Sequence, residues 1–124
     1  MRNFRKYDVW NDSMSFVKTI YEMTTSFPKM EQYGLSNQMN RAAVSIPSNI
    51  AEGASRNSDI DFAHFLEIAI GSSFEIETQI EIAFSIGYID ESVKDKLISN
   101  LQIIQKRLNV FISKLRQKPI TNCQ

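Results

Sequence analysis

The chain reads as all-α, an antiparallel up-down-up-down four-helix bundle. Three observations predict this. Apolar residues recur at three- and four-residue steps through most of the 124 residues, the spacing of one helix face. The four glycines and three prolines fall mostly between those stretches and read as punctuation. No strand-like alternation of comparable quality competes. With 43% apolar and 23% charged residues the composition is that of an ordinary folded domain, and a chain of this size buries roughly two thirds of its unfolded surface without a disulfide framework. Residues 1–118 are read as a single bundle domain and 119–124 as a flexible C-terminal tail holding the lone Cys123.

The first helix is expected over about 8–26, with Tyr7, Trp10, Met14, Val17, Tyr21 and Thr24 as its stripe, ending before Pro28. Ser36 is a plausible N-cap for the second, which carries Met39, Ala43, Ile46 and Ile50 on one face. Pro47 removes an N–H and predicts a kink there, or two shorter helices. The third helix is expected to start at Ser58 or Asp59 and to end at Gly87, which suits a left-handed C-terminal cap. Its stripe is Phe62, Phe65, Leu66, Ala69, Ser73, Ile76, Ile80, Ala83 and Phe84. Asp90 caps a fourth helix whose seam is Leu97, Leu101, Ile104, Leu108, Phe111 and Leu115. Short connections between long amphipathic helices make neighbours run antiparallel.

Helix three is more apolar than one bundle core can use. Ile68, Ile82 and Ile86 cluster on a second arc some 120–160° from the centre of the main stripe, and Ile70 and Phe74 add apolar surface on the other flank. A helix apolar nearly all round is buried on two sides, so a second copy of the chain is expected there, with Gly71 letting a neighbouring backbone approach. On helix two, Arg41, Ser45, Asn49 and Glu52 form a polar line opposite the apolar face. That line is satisfied either within the chain or across a subunit contact, with Ser72, Glu75 and Gln79 as partners.

Charge is balanced overall, fourteen Lys and Arg against fourteen Asp and Glu, but unevenly placed. Residues 57–93 carry eight acids and no base, a net of −8, and the remainder carries +8. Either folding mixes these charges or an acidic and a basic surface meet head to tail between subunits. On helix four, Lys96, Arg107, Lys114 and Lys118 fall within an arc of about 40°, a basic line able to follow a phosphate backbone without reading bases. Those cations pair equally well with the acidic helix three.

Familiar catalytic patterns do not fit. His64 is the sole histidine, His64-x-x-Glu67 reverses the di-metal order found in helical bundles, and no metal or cofactor is expected. Neither G-x-S-x-G nor a glycine-rich phosphate loop occurs, and Glu77 and Glu81 read as a solvated face. No apolar run approaches the ~20 residues that span a bilayer, and the start MRNFRKYDVWND lacks an apolar leader, so a cytoplasmic protein without a membrane partner is expected.

The segments SNQMNRAAVSIPSNIAEG at 36–53, HFLEIAIGSSFEIETQ at 64–79 and IGYID at 86–90 resemble the four-helix-bundle proteins encoded in intervening sequences of bacterial 23S ribosomal RNA genes. The resemblance runs from Phe4 to Leu115 and implies an antiparallel bundle assembled as a ring-shaped homopentamer. It marks Arg41, Ser45, Pro47, Asn49, Glu52 and Gly53, and Gly71, Ser72 and Glu75, and implies no catalytic role for any of them. A more distant similarity is to the nucleic-acid-binding accessory protein of diversity-generating retroelements, from which this chain departs in being net neutral. Two functions follow as expectations. One is a non-enzymatic homo-oligomeric scaffold with RNA or a nucleic-acid-processing protein as partner. The alternative is an enzyme acting on RNA or a small ligand at a subunit interface through Arg41, Glu52 and Glu75.

Overall fold

A computed structural model of the protein describes residues 2–117; the tail 119–124 and Lys118 lie outside them. Four helices, α1 (Asp8–Thr24), α2 (Leu35–Ala54), α3 (Asp59–Ser85) and α4 (Glu91–Arg116), are joined by short connections. Single 3-10 turns occur at Phe4–Lys6 and Lys29–Glu31, and no strand is present among the described residues. α2 packs on α1 and α3, and α4 packs on α3 and α1, so the four enclose one core. Ile20, Met39, Ile46, Ile50, Phe62, Leu66, Ile76, Ile80, Leu101, Ile104 and Leu108 are fully buried in it.

Local chemistry sets most boundaries as the sequence predicts. Ser58 Oγ accepts the Asp61 N–H at 3.1 Å and Asp90 Oδ1 accepts the Val93 N–H at 2.8 Å, capping α3 and α4. Gly87 adopts a positive φ of 85°, and the Tyr88 N–H reaches back to the Ala83 carbonyl at 2.9 Å, closing the end of α3.

Three expectations are corrected. The buried face of α1 is Val9, Ser13, Phe16, Ile20 and Thr24, whereas Met14 and Tyr21 are exposed. The true face is rotated by about a quarter turn from the predicted stripe. Ser13 hid it: the hydroxyl donates to the Val9 carbonyl at 2.6 Å, which lets a polar residue sit in the core. Second, α2 begins at Leu35 rather than after a Ser36 cap, and Ser36 is buried. Its first N–H is taken instead by Glu31 Oε1, at 3.0 Å. Third, α2 does not divide into two shorter helices: it runs as one helix through Pro47, with α1 and α3 packed against it. The fourth seam shifts slightly: Phe111 and Leu115 are half-buried, and Gln105 and Ile112 join the buried set.

Glu31 ties the connection between α1 and α2 to the connection between α3 and α4. Its Oε2 accepts the Tyr88 hydroxyl at 2.7 Å, and Tyr88 stacks on Phe27 with ring centroids 5.0 Å apart. The Tyr88 hydrogen bond, then the Leu35 N–H, lower the Glu31 pKa, and the same bond to Glu31 raises that of Tyr88. A lowered acid stabilises the fold above its ordinary 4.5 and loses that contribution as pH falls through the lowered value. A raised tyrosine contributes below its ordinary 10.0 and loses that contribution as pH rises through the raised value. The Tm difference between the wild type and Tyr88→Phe is therefore largest between those limits and shrinks in both acid and alkali. A difference constant from pH 7 down to pH 3 would show that the bond does not couple stability to the Glu31 charge.

Candidate interaction surface

The apolar surplus of α3 lies on its outer side. One face serves the core with Phe62, Leu66, Ala69, Ile76, Ile80 and Ala83. Away from the core Ile68, Ile82 and Ile86 are 41%, 44% and 52% exposed, and Phe74 and Ile60 are exposed toward the other flank. Ile70 departs from expectation: it is half-buried and packs against the core. Gly71 shares the outer face, and a Cβ there would meet nothing within 4 Å. No close approach within the chain requires that glycine. Glycine does earn its place at Gly53, where an added Cβ would lie 2.8 Å from Phe62 Cδ1 and from Phe65 Cβ.

The polar line of α2 meets α3 along one seam. Ser45 and Ser72 share a hydroxyl hydrogen bond of 2.7 Å, and Asn49 Nδ2 donates to the Ser45 carbonyl at 2.8 Å and to its Oγ at 3.0 Å. Glu52 pairs with Arg56 at 3.0 Å one turn along α2. Gln79 donates to Glu75 at 3.4 Å, yet its own Oε1 is buried without a partner. Arg41 is exposed and makes no hydrogen bond or ion pair among the described residues. Of the alternatives left open for the seam, satisfaction within the chain accounts for Ser45, Asn49, Ser72 and Glu52. Arg41 and the Gln79 carbonyl oxygen remain without a partner.

Four basic residues gather where the chain start meets α4. The chain start and α4 flank a cleft of about 670 Å³, lined by Lys6, Tyr7, Asp8 and Val9 from the first and by Ile103, Lys106, Arg107, Val110, Phe111 and Lys114 from the second. The side chains of Lys6, Lys106 and Lys114 have no hydrogen bond or ion pair among the described residues, while Arg107 pairs with Asp12 of α1. Burial raises the Tyr7 pKa, with Arg2 opposing and Asp59 adding, so this hydroxyl stays neutral at physiological pH. Of the predicted basic line, Arg107 and Lys114 line the cleft and Lys96 is exposed farther along α4. Sequence spacing missed Lys106, which falls outside the 40° arc of the predicted line, whereas Lys6 of the basic chain start, with Arg2 and Arg5 an expected neighbour of that line, does line the cleft. Several acids of α3 do meet bases, through Arg2–Asp59 at 2.7 Å, Lys94–Glu81 at 3.8 Å and Arg116–Glu67 at 2.8 Å. Charge mixing and charge separation thus coexist.

Among the described residues no group of three or more His, Cys, Asp or Glu is placed to hold a metal ion. No helix among them is long and apolar enough to cross a membrane.

Residues 5–110, nearly all of the bundle, match the 23S rRNA-intervening sequence protein family. The chain belongs to that family. A solved structure of a protein of unknown function from the S23 ribosomal protein family of Bacteroides thetaiotaomicron VPI-5482 is similar to it. The TM-score is 0.78 at 25% sequence identity, over 85% of this chain and 95% of the other. No curated protein matches the chain. In this intervening-sequence protein the RAAVSIPSNIAEG segment buries Ala42, Ala43, Ile46, Pro47, Ile50 and Gly53 and leaves Arg41, Val44, Ser48 and Glu52 exposed.

Proposed function

We propose that this intervening-sequence protein is a non-enzymatic scaffold, an antiparallel up-down-up-down bundle that assembles with copies of itself as a cytoplasmic ring of five. The observation that carries the reading is the outer row of α3: Ile68, Ile82 and Ile86 stand half in water on a helix whose other face already fills the core. An antiparallel course is supported by cross-pairs whose numbers run in opposite directions, Gly53 by Phe62 and Ser45 by Ser72 between α2 and α3, and Glu67 by Arg116 and Glu81 by Lys94 between α3 and α4. The enzymatic alternative needs Arg41, Glu52 and Glu75 to converge. Glu52 is engaged by Arg56 and Glu75 by Gln79, and Arg41 is within ion-pair distance of neither. A ring repeats one surface several times and so suits an extended outside partner, an RNA or a nucleic-acid-processing protein.

Light scattering at micromolar concentration tests the assembly. The expected mass is about five times the 14.3 kDa of one chain, and Ile82→Asp, which places a carboxylate in an apolar contact, is expected to release single chains. A wild-type mass of one chain would overturn the reading.

A further inference from the structure

We propose that the outer face of α3 in one copy, centred on Glu75 and Ile82, seats in the basic cleft between the chain start and α4 of the next copy. This rests on the self-assembly reading above and says which two surfaces meet. Both surfaces are apolar where they have no reason to be. In the cleft Ile103 and Val110 are 51% and 47% exposed, one heptad apart on the outer side of α4. On α3, Ile68, Glu75 and Ile82 are also one heptad apart. Rows with this spacing pack together as neighbouring helices of a left-handed pair.

Charge makes the two surfaces unlike and complementary. Residues 57–93 contain no basic residue, so the α3 face presents Glu75 and Asp61 with no cation beside them in sequence. The cleft presents Lys6, Lys106 and Lys114, none of them paired among the described residues, against the single carboxylate Asp8. With Ile82 seated between Ile103 and Val110 and the two helices running in opposite directions, Glu75 lies about 10 Å along, beside Lys114. Two different surfaces in contact give a heterologous interface, the kind that closes into a ring and cannot be satisfied by one pair of chains. An RNA backbone is the competing occupant of the same cleft. Its phosphates would match the lysines but would leave Ile103 and Val110 exposed, which a second copy covers.

The test uses two single variants that each spoil one surface. Ile82→Asp ruins the α3 face and keeps the cleft; Val110→Asp ruins the cleft and keeps the α3 face. Both positions are solvent-exposed in the single chain, and circular dichroism checks that each variant folds. Each alone is expected to have the mass of one chain, and an equimolar mixture is expected to have the mass of two, because one intact α3 face can still meet one intact cleft. Should Val110→Asp fold poorly, Glu75→Lys and Lys114→Glu serve instead, each weakening assembly alone and restoring it when both are carried on every chain. A Val110→Asp protein that assembles like the wild type would overturn the docking while leaving self-assembly standing, and RNA binding lost in that variant would then assign the cleft to RNA. A mixture that remains single chains would also overturn it. A wild type that is a single chain would overturn both readings together.

Discussion

Phe62→Ala is expected to destabilise the fold by about 3–5 kcal/mol, the usual cost of deleting a buried aromatic ring. Phe62 is fully buried at the start of α3, where three elements join. Its ring lies 5.1 Å from that of Phe111 on α4 and 6.1 Å from that of Tyr7 before α1, and the Arg2 guanidinium sits over it at 4.9 Å. Arg2 in turn holds Asp59 at 2.7 Å. Removing the ring therefore leaves a cavity and takes the cation–π contact from Arg2, whose bonds to Asp59 and the Ala54 and Arg56 carbonyls remain. At about 3–4 °C per kcal/mol for a domain of this size, Tm should fall by roughly 10–20 °C when compared at equal chain concentration. A drop below about 4 °C would mean that the site collapses to fill the space, and that this corner is less tightly packed than it looks.

The second large effect is expected at Gly53, where two terms oppose each other. Alanine in a helix interior is better than glycine by about 1 kcal/mol. Against that, the new Cβ would stand 2.8 Å from Phe62 Cδ1 and from Phe65 Cβ, and 3.2 Å from the Phe62 carbonyl oxygen. Two of those atoms cannot swing away, being backbone or fixed to it, so α2 and α3 must separate. Overpacking of this kind costs about 1–3 kcal/mol and should exceed the propensity gain. Gly53→Ala is thus expected to be net destabilising, and Gly53→Val more so, whereas Gly71→Ala, with open space around its Cβ, should be neutral or stabilising in the single chain. Urea unfolding of the three variants under one set of conditions gives the order directly. A Gly53→Ala protein more stable than wild type would show that the two helices can part at no cost.

Much of the fold is legible in the one-dimensional pattern. Four helices, the Ser58 and Asp90 caps, the Gly87 stop and the two-faced character of α3 follow from short-range rules, because caps and periodicity involve residues within one or two turns of each other. The failures lie where a distant residue settles a local question. Glu31 starts α2 from outside the helix, and Ser13 hides the true face of α1 by bonding its own backbone.

The candidate surface divides in the same way. Periodicity and charge counting found Ile68, Ile82 and Ile86 and the acidic block without a structure, since each depends on one helix alone. That the polar line of α2 turns inward onto Ser72, that Arg107 is drawn to Asp12, and that Lys6 joins Lys106 and Lys114 around one cleft were decided by tertiary packing. Helical spacing determines which residues share a face of one helix. Which face meets which neighbour depends on how all four helices divide a single core, a free energy that no one segment contains.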